Sequence, residues 1–178
     1  HLASTVDDLD YGITIIARGE DILSSTPKHI MLFKSMDANL PDFCHLPLLF
    51  GPDGKKLSKR HGDTSVEAFK SKGILSEAMF NYLCLLGWSP GNDLEKFNID
   101  TAINKFDLKN VLPNSAIFDE KKLLWLNGLY IRSTDTKDFQ AKALSQIEND
   151  IARELFDEEK SRLIKIFTSV HERIETLA

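Results

Sequence analysis

Cysteine is scarce in this chain, and the few present do not form a site. Its 178 residues hold two cysteines, Cys44 and Cys84. No CxxC pair occurs, and adjacent Cys44 and His45 cannot supply four suitably spaced ligands, so no zinc site is expected. The N-terminus "HLASTVDD" is neither a signal peptide nor a basic transit peptide. A disulfide is therefore not expected, and both thiols read as reduced, small buried hydrophobes. No run of eighteen apolar residues exists, which excludes a membrane-spanning helix. A cytoplasmic protein with no membrane partner is the expectation. Positive charge is also in deficit: 22 basic against 27 acidic residues leave a formal net charge of -5. That balance excludes a uniformly basic nucleic-acid coat but leaves room for one local cationic patch. There is no G-x-x-x-x-G-K-[ST], so a P-loop is excluded, and no internal repeat or low-complexity tract is present.

What is present changes period part-way along. Hydrophobic residues make up 42% of the chain, enough for a core. "HLASTVD" and "GITIIAR", apolar and β-branched around "DDLDYG", predict two strands. Thr26 as N-cap and Pro27 at the first helical position predict a helix packed by Ile30, Met31 and Phe33. "HLPLLF", His45 to Phe50, predicts one short buried strand ended by the turn "GPDG". Beyond it the pattern is helical. The capping box Thr64-x-x-Glu67 and a terminal Gly73 bracket a first helix; Ser76 and Gly87 bracket a second. "IDTAINKF" is a short third, and Asp119 to Gly128 a fourth. The chain then reads as helix to its end. Leu163, Ile166, Phe167, Val170, Ile174 and Leu177 form one stripe, which needs a partner layer. The fold class expected is α/β followed by all-α. A first strand starting at His1 and a stripe running to Ala178 predict an internal piece of a longer protein.

The densest local chemistry is "GPDGKKLSKRHGDTSV", Gly51 to Val66. Lys55, Lys56, Lys59, Arg60 and His61 crowd into seven positions, with Gly51, Gly54 and Gly62 allowing hinge motion. A surface loop of no function is the ordinary explanation for such a cluster. Three features favour phosphate: the loop follows an apolar strand, glycines allow close backbone approach, and Ser58 can donate a hydrogen bond. At the carboxyl end of a sheet, α/β proteins bind ligands. A mobile lysine there can deliver charge as negative charge develops.

These residues carry a resemblance. "KLSKR", Lys56 to Arg60, resembles the KMSKS signature of class I aminoacyl-tRNA synthetases. "GITIIARGEDILSSTPKHI", "HLPLLFGPDGKKLSKRHGDTSVEAF", "EAMFNYLCLLGW" and "FDEKKLLWLNGLYIR" resemble bacterial glutamyl-tRNA synthetases in order and spacing. The likeness is close over Leu2 to Arg132 and looser beyond. It implies ATP-dependent activation of glutamate to glutamyl-adenylate, then transfer to the 3′ end of tRNA(Glu), with ATP–Mg2+ as substrate and no protein-bound metal. It also implies a monomeric parent enzyme. Three regions are expected: residues 1–62 as the second half of a Rossmann-type catalytic domain, 63–132 as a helical stem-contact region, and 133–178 as the start of a helical anticodon-binding bundle.

Residue by residue, the resemblance makes Lys59 the cation on the β,γ-phosphates, assisted by Lys56, with Ser58 beside them. Leu48 and Leu49 would contact the adenine side, and Glu20 and Asp21 the ATP ribose. Arg18 would bind the glutamate carboxylate, which suits a bidentate guanidinium, with Ser4 standing where the family has asparagine. Arg60, His61, Trp125 and Asn127 are candidate tRNA contacts. Each has a plainer reading: Arg18 as a strand-end cation, Glu20 and Asp21 as acids favouring the next helix start, Trp125, Trp88 and Tyr82 as packing. The signature's methionine is Leu57 and its last serine Arg60. No H-x-G-H occurs, so the HIGH motif is absent from these residues. The alternatives are a non-catalytic tRNA-binding paralogue, or a relative that glutamylates a modified tRNA base.

Overall fold

The computed structural model describes residues 1–58, 62 and 65–178; Lys59, Arg60, His61, Asp63 and Thr64 lie outside the described residues. The chain opens with α1 (Leu2–Asp10), not with a strand. This corrects the reading of "HLASTVD". The β-branched pair Thr5–Val6 suggested extended backbone, but Leu2, Val6 and Leu9 also stand at i, i+4 and i+7, one face of a helix. Thr5 settles the choice, since its hydroxyl bonds back to the His1 carbonyl at 2.9 Å and meets buried His29 Nδ1 at 3.2 Å. Gly12, at φ +64°, then ends the helix. Its N–H bonds the Leu9 carbonyl while Ile13 N–H bonds that of Asp8, the paired closure that needs a left-handed residue.

Strand β1 (Ile15–Gly19) follows as expected, then a 3-10 turn (Glu20–Ser25), α2 (Thr26–Ser35) and β2 (Asp42–Leu46). β1 and β2 pair in parallel, with Ile15 opposite Asp42 and Gly19 opposite Leu46. This is one βαβ unit, the building block of doubly wound sheets. Thr26 is the first helical residue rather than the cap. The strand expected over His45–Phe50 is broken: Pro47 has no N–H for a ladder, and the chain leaves β2 for β3 (Leu49–Phe50). β3 pairs in parallel with β4 (Ala116–Ile117), sixty-odd residues later.

The rest is helical: α3 (Val66–Ser71), α4 (Ser76–Leu85), α5 (Ile99–Lys105), α6 (Glu120–Ser133), α7 (Thr136–Ile151) and α8 (Asp157–Val170). Ser65 caps α3, its hydroxyl accepting from Ala68 N–H at 3.2 Å; the expected cap Thr64 is outside the described residues. Gly73 lies at φ +72°, and the bonds Gly73 N–H to Lys70 and Ile74 N–H to Phe69 close α3 as its sequence position predicts. The cap of α4 is Leu75, not Ser76, because Asn127 Oδ1 takes the Leu75 N–H at 2.8 Å. Asp119 caps α6 through Lys121 and Lys122 N–H, and the helix runs past Gly128 to Ser133. Helix ends at Val170, short of the expected continuous run to Ala178.

Three buried clusters hold these helices, and the smallest, Trp88, Phe97 and Ala102, packs α5 against α4. Phe69, Ile74, Tyr82, Leu123 and Leu126 lie between α3, α4 and α6. Leu75, Ala78, Ile131, Phe139, Ala143 and Phe167 join α4 and α6 to α7 and α8. The C-terminal stripe therefore has its partner layer within the chain: Leu163, Phe167, Ile174 and Leu177 pack there, while Ile166 faces outward at 53% exposure. The packing is continuous across residue 133. Both cysteines are free thiols and half-buried rather than buried. Among the described residues no helix is long and apolar enough to cross a membrane.

Candidate functional site

The carboxyl end of β1 presents Arg18, Gly19, Glu20 and Asp21 in succession. Parallel register puts His45 beside Arg18. Arg18 Nε donates to His45 Nε2 at 3.4 Å, and its Nη2 donates to Thr26 Oγ1 at 2.8 Å. The Thr26 hydroxyl stands 2.9 Å from the same His45 nitrogen. Arg18, Thr26 and His45 Nε2 thus close one hydrogen-bonded triangle. The Phe43 ring lies 5.5 Å from the guanidinium carbon. Three groups thus fix the plane of a half-buried guanidinium. Among the described residues nothing bonds its Nη1 edge, which fits a carboxylate ligand.

The two acids reach the next segment. Glu20 Oε1 accepts the Leu48 N–H at 3.3 Å, and Asp21 Oδ2 pairs with Lys56 Nζ at 2.7 Å. That ammonium, by hydrogen bond first and by charge as well, lowers the Asp21 pKa below the usual carboxylate value. Lys56 is placed by a small hairpin. β3 turns at Gly51–Gly54, Gly51 N–H bonds the Lys55 carbonyl at 2.8 Å, and Leu57 N–H bonds that of Leu49 at 2.7 Å. Gly54 supplies the φ of +73° that this turn needs. The basic loop therefore starts as a return strand against β3, and this places Lys56.

Five of the expected residues converge here: Arg18, Glu20, Asp21, Leu48 and Lys56. Leu49 is half-buried in β3, and Ser58 is exposed on the return strand. Lys59, Arg60 and His61 lie outside the described residues. Ser4 is exposed and spends its hydroxyl on the His1 carbonyl at 2.9 Å, within α1. Trp125 is 39% exposed on α6, whereas Asn127 is wholly buried. Asn127 bonds Leu75 N–H, the Gly73 carbonyl at 3.2 Å and the Glu175 carbonyl at 2.6 Å. Its amide is used up inside the fold, so the candidate RNA contact at Asn127 is corrected to a structural tie.

His45, Thr26 and His29 were not singled out as site residues. The signal for His45 was its place one strand over from Arg18, which only the parallel register reveals. His29 is buried beneath His1, its Nε2 3.0 Å from His1 Nδ1, and burial lowers its pKa, with Arg18 adding to the effect. Among the described residues no group of three or more His, Cys, Asp or Glu is placed to hold a metal ion.

Residues 1–125 match the family model for tRNA synthetases class I (E and Q), catalytic domain. The chain belongs to this synthetase family. It is 39% identical over 180 positions to a glutamate–tRNA ligase of Carboxydothermus hydrogenoformans, covering 100% of this chain and 38% of that protein. It is 41% identical to glutamate–tRNA ligase 1 of Caldanaerobacter subterraneus subsp. tengcongensis, covering 99% of the chain and 37% of the relative. A crystal structure of a glutamate tRNA ligase from Elizabethkingia meningosepticum, in complex with its amino acid, superposes with a TM-score of 0.81 at 30% identity, covering 98% of this chain and 38% of that one. The synthetase chain described here thus spans a little over a third of the length of the relatives it matches. Its fold is that of the solved synthetase structures, a small parallel α/β unit followed by helices.

Proposed function

We propose that this chain supplies the glutamate- and phosphate-binding part of a glutamate–tRNA ligase. The reaction would activate glutamate with ATP–Mg2+ to glutamyl-adenylate and transfer it to the 3′ end of tRNA(Glu). The observation that carries the reading is the meeting of Arg18, Asp21 and Lys56 at one sheet end, in a chain similar along its whole length to glutamate–tRNA ligases.

The roles follow from position and chemistry. Arg18, with Thr26 and His45 holding its plane, receives the substrate carboxylate. Lys59 and Lys56 are the cations for the triphosphate, and Lys59 meets the charge that builds as pyrophosphate leaves. Leu48 and Leu49 form the apolar wall on the adenine side, and Glu20 and Asp21 accept from ribose hydroxyls. Residues 1–62, 63–132 and 133–178 would serve as catalytic half, stem-contact region and first part of an anticodon-binding bundle, with Trp125 on the RNA-facing side. The sequence holds no H-x-G-H, so these 178 residues by themselves are expected to show no ATP–pyrophosphate exchange.

Arg18→Gln tests the assignment. A hydrogen bond to a charged group is worth about 1.5–3 kcal/mol. In a ligase carrying this sequence, the KM for glutamate should rise about ten- to a hundredfold while the KM for ATP holds. A KM for glutamate within twofold of wild type would remove Arg18 from the amino-acid pocket.

A further inference from the structure

Glu20 and Asp21 are neighbours in sequence, yet they hold two different strands. Glu20 takes the Leu48 N–H just before β3, and Asp21 takes Lys56 on the strand that returns along it. Phe50 and Lys56 bridge antiparallel across that hairpin, so the two acids grip its entry and its exit. Gly19 makes the grip possible. A Cβ at Gly19 would stand 2.6 Å from Asp21 Oδ1, so the carboxylate lies over the glycine where any side chain would displace it. Gly19 itself has φ -64°, a value open to every residue, so the requirement is space and not backbone conformation.

Asp21 Oδ2 offers Lys56 an anionic oxygen at 2.7 Å, chemically what a phosphate oxygen offers. We propose that Asp21 is a placeholder for phosphate, holding the Lys56 ammonium when no nucleotide is bound and yielding it to a phosphate oxygen of the incoming nucleotide. The inference rests on the nucleotide-binding reading of the basic loop. The exchange swaps one ionic hydrogen bond for another and sets Asp21 free to accept from a hydroxyl of the same ligand. Exposure makes it reversible. The Lys56 and Asp21 side chains are 55% and 44% exposed, so water screens their attraction and a polyanion can outbid it. The lowered Asp21 pKa keeps the carboxylate ionised at neutral pH, as a placeholder needs. Asp21 is thus a positioning residue that sets how much of the Lys56 charge is available. Lys55 next to it makes a natural reference: it is 82% exposed and lies 3.9 Å from a carboxylate oxygen of Asp53.

Competitive acetylation of the whole chain with acetic anhydride, read by mass spectrometry, tests the clasp. The Lys56-to-Lys55 labelling ratio should rise about two- to fivefold in Asp21→Asn, the range an exposed ion pair sustains. Gly19→Ala should raise it as well, because it moves the carboxylate while keeping its charge. A ratio unchanged in both variants overturns the clasp. Inorganic pyrophosphate, used as the probe, tests the exchange. Its dissociation constant should fall about two- to fivefold in Asp21→Asn, because a competitor has been removed. Equal binding by wild type and Asp21→Asn defeats the placeholder alone. Failure of pyrophosphate to bind any of the three forms defeats the nucleotide reading of the loop itself, and the placeholder with it.

Discussion

Lys59→Ala, in a ligase carrying this sequence, is expected to lower kcat for adenylate formation about a hundred- to a thousandfold, with the KM for ATP changed only a few-fold. The magnitude is that of removing one preorganised group aimed at charge that develops in the transition state. The asymmetry between kcat and KM follows from timing. Ground-state ATP brings its charge shielded by Mg2+, and the demand for a further cation grows as the α–β phosphate bond breaks. A contact that matures only then contributes to kcat and not to binding. Steady-state ATP–pyrophosphate exchange reads both constants. An unchanged kcat would reduce the loop to a passive electrostatic surface. Lys56→Ala should be milder, since Lys56 already has a carboxylate partner in Asp21.

Asn127→Ala is expected to destabilise the fold by roughly 2–4 kcal/mol, because it takes the only partner from the buried Leu75 N–H and one from the part-buried Glu175 carbonyl, at about 1–3 kcal/mol each, and leaves the Gly73 carbonyl with a single donor. These groups belong to the α3–α4 turn and the C-terminal segment, so one side chain on α6 ties three regions together. Leu177 N–H also bonds the Gly73 carbonyl, at 3.1 Å, and a Cβ on Gly73 would meet Leu177 and Ala178 backbone. Urea unfolding followed by circular dichroism would report the loss. A change within 1 kcal/mol would mean that water replaces the amide, and that the tie is weaker than its geometry.

How much of this was legible in the sequence depends on how far apart the deciding groups are. Gly73 announced a helix end, and the structure closes α3 there, since the positive φ and the flanking apolar pair Phe69 and Ile74 are local matters. The sequence places the fourth helix at Asp119 to Gly128, and the structure makes Asp119 its cap and carries it on to Ser133. The first element was misread. Thr5 and Val6 favoured a strand by propensity, while the deciding contact, Thr5 to His29, is twenty-four residues away. Gly12 was a helix-stop signal in plain view, read instead as part of a turn between strands. Pro47 marks the break between β2 and β3 in the sequence itself, although the apolar run His45 to Phe50 reads as one strand.

The site divides along the same line. The family resemblance marks Arg18, Glu20 and Asp21, the basic loop marks Lys56, and the structure brings them together. The partners that orient Arg18 could not be marked, because Thr26 looked like a helix cap and His45 like a strand residue. Only β1–β2 register makes them neighbours. Asn127 failed for the opposite reason. A polar residue beside an exposed tryptophan resembles surface chemistry, and its burial is decided by a turn and a tail roughly fifty residues away in each direction.

The central claim is that these residues perform glutamate-specific phosphate chemistry when joined to the remainder of a class I synthetase. The direct test replaces the matching segment of the Carboxydothermus hydrogenoformans glutamate–tRNA ligase with these 178 residues and measures ATP–pyrophosphate exchange in the presence of tRNA. The account predicts exchange that depends on glutamate and is lost with Lys59→Ala. A folded chimera that exchanges equally well with Lys59→Ala, or that shows no dependence on glutamate, would contradict it.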